Sequence, residues 1–286
     1  MARNFDDFKV RIENEFMQHP VVTDNKYCAW FRKGDMSVEH VTHFVQQFSV
    51  FSHLFLIAAL KKVINADSLE GYRESKEILM NELGVIYNNK NKARTLSNPD
   101  QDASLAAAND TDPSVVSTEG TVDGGIYRHQ AGHFEWLLRI GETLGLGFND
   151  IGKRRHGTKT TLHFCDQLSD LYGHEDYNVG NGAGFSIENW AAAGFWQDLI
   201  AGLEVVKQRD LPKLQLAFFT FHDKIEGQHK EHVWDELREC FTSDEFNEDT
   251  FIENGVKMLD ACKVFWDGLY DDAVKAGEVK EGVATA

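Results

Sequence analysis

Four prolines are spread over the 286 residues of this chain, and none interrupts a stretch of helical periodicity. Pro20 and Pro212 flank such stretches, and Pro99 and Pro113 fall in a segment rich in Asn, Asp, Ser and Thr. An interior proline deletes a helical hydrogen bond and clashes with the preceding turn, so this placement leaves long spans free to be helical. It also argues against a loop-rich all-β design. The expected fold class is all-α.

Apolar periodicity places the helices. Phe5, Phe8, Ile12 and Phe16 mark one that stops before Pro20. Ser37 stands as N-cap of a stronger one carrying Val41, Phe44, Val45, Phe48, Phe51 and Phe55. A third is expected from Ser68 to about Asn89, with others over Ile126 to Leu146 and around Thr161 to Tyr172. Gly180, Gly182 and Gly184 read as a turn, followed by helices from Ser186 to about Gln208, Lys213 to about Phe241, and Glu248 to about Ala276. The result is about seven to eight helices in a single domain over residues 1–286, with a long loop insertion at about 90–124.

Lys and Arg total 29 against 46 Asp and Glu, a formal charge of −17, so a phosphate-tracking surface is not expected and nucleic acid is a poor partner. The four cysteines, Cys28, Cys165, Cys240 and Cys262, are far apart and form neither a zinc ribbon nor a disulfide framework. Met1 to Val10 carries no apolar signal region, and the longest apolar run, Phe48 to Leu60, is shorter than a bilayer span. A cytoplasmic protein without membrane partners is expected, and a homodimer stays open.

The segment Phe218-Phe-Thr-Phe-His222-Asp-Lys-Ile-Glu226-Gly-Gln-His229 carries the sharpest chemical signal. On a helix, His222, Glu226 and His229 converge within roughly 60° of one another. Imidazole, carboxylate, imidazole is a metal-ligand set, although a solvated polar face can show the same spacing. Bulky apolar neighbours point these groups inward, where polar side chains are costly unless paired or bound to a cation. Glu188, among aromatic and small residues, and Glu82, in Ile78-Leu-Met-Asn-Glu82-Leu-Gly, are further carboxylates in apolar surroundings. A surface position for Glu82 and a helix-dipole contact for Glu188 are the ordinary alternatives. Carboxylates and imidazoles projecting from several helices into a bundle are how helical proteins build dimetal sites.

From Val41 to Leu237 this order of helices and ligands resembles the haem-oxygenase-like diiron oxidases and oxygenases, whose superfamily also holds thiaminase-II and pyrroloquinoline quinone synthase. The resemblance implies a haem-oxygenase-like helical bundle with two Fe ions and O2 as co-substrate. Glu82 matches the first carboxylate, Glu188 the second, and His222, Glu226 and His229 the last ligand helix. The remaining His usually follows the first Glu by one or two turns, where this chain has Asn88 and Asn89. The next candidates are His129 and His133, of which His133 is favoured because His133-Phe-Glu-Trp-Leu-Leu resembles the corresponding helix. Glu226 departs from the Asp more usual there. Glu82, Glu188 and Glu226 are thereby the catalytic carboxylates, and the implied reactions are N-oxygenation or oxidative C–C cleavage of a small amino-acid-like, carboxylate or fatty-acid substrate. Alternatives are a metal-free thiaminase-like or quinone-synthase-like enzyme of the same fold, a haem binder, and a non-enzymatic helical binding protein.

Overall fold

The computed structural model describes residues 4–84 and 131–279, without the side chains of residues 70, 225–233, 235, 236 and 239. Helix starts follow local side-chain chemistry. Side-chain oxygens of Asn4, Asn25, Ser37, Ser68, Thr158, Asp176 and Asn247 each accept a backbone N–H in the first turn. A cap of this kind is worth about 1 kcal/mol. The helices are α1 (Phe5–Glu15), α2 (Pro20–Thr23), α3 (Lys26–Phe31), α4 (Val38–Ile64), α5 (Leu69–Glu82), α6 (His133–Thr143), α7 (Lys159–Leu171), α8 (Tyr177–Ala191), α9 (Phe195–Arg209), α10 (Ala217–Phe241) and α11 (Glu248–Lys275). A single 3-10 turn, Arg154–His156, precedes α7, and no strand occurs among the described residues. The fold is all-α.

Three sequence expectations need correction. Gly180, Gly182 and Gly184 lie inside α8 and do not form a turn. Gly182 serves helix packing: a Cβ there would stand 2.1 Å from the Phe251 carbonyl oxygen of α11. The helix expected from Ser186 to Gln208 is two helices, α8 and α9, because Gly194 takes φ +100° and caps the start of α9. L side chains avoid that region, whereas glycine enters it freely. This break and the short helices α2 and α3 raise the helix count above the expected number. The third helix ends at Glu82, ahead of the expected Asn89, with Gly84 at φ +73° just beyond. The expected loop at 90–124 and the first residues of the helix expected from Ile126 lie outside the described residues.

α11 forms the spine and packs on α1, α2, α3, α7 and α8. α4 packs on α5, α6 and α7, while α10 packs on α6, α8 and α9. Buried aromatic rings fill the space between them, among them Tyr27, Phe44, Phe48, Phe219, Phe251 and Trp266. One polar bolt crosses this core. Gln47 of α4 donates to the His156 carbonyl at 2.8 Å, and its Oε1 accepts from Thr158 N at 2.8 Å and from the Thr161 hydroxyl at 2.9 Å. Both ends of its amide are hydrogen-bonded at 1% exposure, which fixes the register of α4 against α7.

Although the Phe48–Leu60 run is shorter than a bilayer, the whole of α4 is 27 residues long with an 18-residue window of mean hydropathy 1.4. Length and composition alone would let it span a membrane. About a third of that window is buried in the bundle, 33%.

Candidate metal centre

The centre is built where α5 ends and α6 begins. Gly132, the N-cap of α6, seats against the end of α5 so closely that a Cβ there would lie 2.9 Å from the Glu82 carbonyl oxygen. Its N–H donates to Glu135 Oε2 at 2.7 Å, closing the first turn of α6. Glu82, the last residue of α5, and His133, the first of α6, are thereby forced together. His133 Nδ1 stands 2.9 Å from Glu82 Oε2, with both side chains largely buried.

His222 enters from the second turn of α10. Its Nδ1–H donates to the Phe218 carbonyl at 2.7 Å, which leaves Nε2 with its lone pair directed away from the helix backbone. The imidazole lies 4.6 Å from that of His133, centroid to centroid and edge-on. One ligand atom from each of Glu82, His133 and His222 falls within 4.8 Å of the others.

Aromatic rings enclose the pair. Trp196 lies against His222 at 4.8 Å and 25°, and Phe218 approaches the same ring at 4.3 Å. Trp136 and Phe221 border His133 at 5.4 and 5.7 Å. Trp196 and Phe218 thus form part of the wall around His222. Phe221 is one of the bulky apolar neighbours of His222 noted in the sequence, whereas Trp136, one helical turn after His133, was not singled out there.

These residues fit a cation. His133 Nδ1 is sealed from solvent and has no aligned hydrogen-bond partner, despite its closeness to the Glu82 carboxylate. A buried nitrogen in that condition is costly unless something is held between the two groups. Donors around one transition-metal ion, each about 2.0–2.2 Å from it, stand roughly 3–4 Å apart, so side-chain adjustments of under about 1 Å close the set. Two imidazoles and one carboxylate with remaining positions open is a donor set of non-haem iron.

Glu188 is half-buried on α8 and does not belong to this group. Its surroundings follow from helix register. Tyr177 donates to Cys240 Sγ and the Phe185 ring meets Trp234 at 4.9 Å, so α8 and α10 run antiparallel. Continued by one turn, that register brings Glu188 alongside the α10 backbone near residues 231–232. The side chains of Glu226 and His229 lie outside the described residues, as does His129.

His40 and His43 have ordinary partners. His40 Nε2 pairs with the Tyr27 hydroxyl at 3.0 Å, and His43 with Asp272 at 3.1 Å. Burial first, then His43, holds the His40 pKa down at about 4. Arg154 grips Asp166 through two hydrogen bonds, and Arg155 donates to the Asn149 carbonyl, so both are engaged in local structure. Burial raises the pKa of Cys28 and Cys262 well above the usual thiol range and that of Cys165 to about 12. Those three thiols are poor nucleophiles. A cleft of about 260 Å³, lined by Asn25, Arg32, Trp190 and Gly194 among others, shares no residue with the imidazole pair.

Solved structures place this architecture. The chain has a haem-oxygenase-like fold: over 99% of its length and 100% of the other chain it matches a domain of unknown function with that fold from Shewanella denitrificans, at TM-score 0.56 and 11% identity. It also matches a CADD-like protein of unknown function from Nostoc punctiforme, at TM-score 0.60 and 18% identity over 94% of this chain and 98% of that one. A second structure of the Nostoc protein gives TM-score 0.59 at 17% identity. No family model and no curated protein matches the sequence.

Proposed function

We propose that this protein is an O2-dependent non-haem diiron oxidase or oxygenase acting on a small amino-acid-like, carboxylate or fatty-acid substrate. The observation that carries the reading is the buried convergence of Glu82, His133 and His222, with an unsatisfied His133 Nδ1 at its centre. These three would hold one iron, and Glu188, Glu226 and His229 would complete the site for the second. The helical fold supports this reading, because it brings Glu82, His133 and His222 from three helices to one interior volume. Bound iron would supply the redox chemistry that converts O2 into an oxidant.

The chain's own contribution is geometric and dielectric. Phe218 fixes His222 in the tautomer whose Nε2 can bind a cation. Glu82 is the carboxylate among the three buried donors. Trp136, Trp196, Phe218 and Phe221 exclude water, so that a reactive oxidant meets substrate before it meets solvent. Amino-acid N-oxygenation and oxidative C–C cleavage both require such a dry, oxidising interior. A metal-free thiol mechanism draws no support from Cys28, Cys165 or Cys262, whose burial keeps them protonated.

Anaerobic Fe(II) loading followed by rapid mixing with O2 tests the proposal. Two irons per chain and an O2-dependent visible transient, with decay accelerated by particular amino or fatty acids, are expected. Absence of retained iron would sink the diiron reading.

A further inference from the structure

N-oxygenation has an electron requirement that an amine substrate does not meet. One atom of O2 enters the product and the other leaves as water, which consumes two electrons and two protons from elsewhere. Around His222 and His133 the aromatic wall shields the centre from a reductant in solvent, so the electrons have to cross protein. An aromatic path leads outward from His222. Trp196 lies against it at 4.8 Å, Phe195 meets Trp196 at 4.4 Å and 34°, and Phe195 stacks on Trp190 at 4.4 Å and 7°. Rings in van der Waals contact couple electronically better than a gap or a saturated chain. Phe195 and Trp190 both line the cleft of about 260 Å³ where α2 and α3 meet the α8–α9 junction. Along this path only Phe195 and Trp196 stand between the cleft and a ligand of the proposed iron.

The residues lining the cleft select what it holds. Asn25 Oδ1 accepts from Cys28 N at 3.1 Å, which leaves its Nδ2 buried with no partner among the described residues, and Trp190 Nε1 is in the same condition. Such groups are costly until an acceptor meets them. Arg32, with its side chain 69% exposed, gives one N–H to Asp198 at 3.2 Å, and a guanidinium carries five. Asp198 is already matched by that contact, so hydrogen-bond donors dominate the wall. A ligand rich in acceptor oxygens and carrying negative charge suits them. The volume of about 260 Å³, below the roughly 300–1,000 Å³ of drug-sized pockets, suits a molecule of one small ring.

We propose that this cleft binds a small anionic reductant of the enediol class and passes its electrons through Phe195 and Trp196 to the iron held by His222. The inference rests on the diiron reading above. With ascorbate as the donor, its monoanion becomes dehydroascorbate and gives up two electrons and one proton. Solvent supplies the second proton, and the amine and O2 become a hydroxylamine and water.

Calorimetric titration of the metal-free, full-length chain with ascorbate reads the cleft without iron. Saturable one-to-one binding is expected, weakened about tenfold in Arg32→Gln, the cost of losing one charge-assisted hydrogen bond. Anaerobic stopped-flow reduction of the ferric-loaded protein reads the path, through the loss of ferric absorption and not through turnover. The rate should saturate with ascorbate, at a higher concentration in Arg32→Gln, and Phe195→Leu should lower the limiting rate at equal iron content. Since Phe195→Leu also removes core volume, its circular dichroism spectrum must match wild type, and the exposed Arg32→Gln variant decides the proposal without it. No saturable binding, equal affinity in Arg32→Gln, or a wild-type reduction rate that stays linear in ascorbate would overturn the proposal. An unchanged limiting rate in Phe195→Leu would overturn the path. A chain that retains no iron would overturn the diiron reading and the path together, and calorimetry would still decide the cleft.

Discussion

His222 lies nearly flat against Trp196, with ring centroids 4.8 Å apart and planes 25° apart, while its Nδ1 is tied to the Phe218 carbonyl at 2.7 Å. Stacking on one side and a hydrogen bond at one edge leave the imidazole little rotational freedom. Trp196→Ala should therefore weaken Fe(II) binding by about 10–100-fold, the usual cost of losing support for a metal ligand. Trp196→Phe should restore most of the affinity because it keeps a ring against His222. Calorimetric titration of both variants measures the difference, and equal affinities in Trp196→Ala and wild type would show that the stacking has no positioning role.

The proposed division of ligands predicts unequal losses of metal. His222→Ala removes a member of the buried trio and should reduce iron to less than one per chain. Glu188→Ala, outside that trio, should leave about one iron bound. Elemental analysis after anaerobic loading distinguishes these outcomes, and two irons retained in either variant would disprove the ligand assignment.

Close packing of α8 on α11 makes Gly182 intolerant of a side chain. With a Cβ only 2.1 Å from the Phe251 carbonyl oxygen, Gly182→Ala must push two helices apart. Overpacking of this kind costs about 1–3 kcal/mol, and contact with rigid backbone puts this site at the upper end. Urea unfolding should show the loss as a lower midpoint with little change in slope.

Acid should destabilise the protein through His40. Its folded pKa of about 4 lies below the 6.5 of an exposed histidine, because burial and His43 disfavour the imidazolium. Between those values the unfolded chain binds more protons than the folded one, so the contribution is present above pH 6.5 and is lost as pH falls towards 4. A shift of this size corresponds to about 3 kcal/mol. Urea midpoints of the metal-free protein at pH 7 and pH 5 should differ less in His40→Gln than in wild type.

What the sequence reveals depends on whether a signal is local. Ser37 and Ser68 cap helices as their positions predict, and the period of Val41, Phe44, Val45 and Phe48 puts those four side chains in the core. Helix breaks are less legible. Gly194 ends a helical run by adopting a left-handed backbone, while Gly182, about three turns earlier in the same run, serves helix contact. The two glycines look alike in sequence because the difference lies in what packs against them. The same limit applies at the candidate centre. Glu82 and His222 stand out as polar residues in apolar stretches, but only the seating of α6 on α5 shows that His133 meets them. Trp136 and Phe221 carry no sign of their own that separates a wall of the site from ordinary core.

The meeting of Gly132 with the Glu82 carbonyl has one more consequence. Since the chain returns at residue 131 to the point it left at residue 84, the number of residues between the two ligands is not set by the distance between them. A fixed-interval search for a Glu followed soon after by a His would pass over this chain. The junction is also a natural graft point, where a foreign domain whose own termini lie close together could be spliced in without altering the spacing of Glu82 and His133.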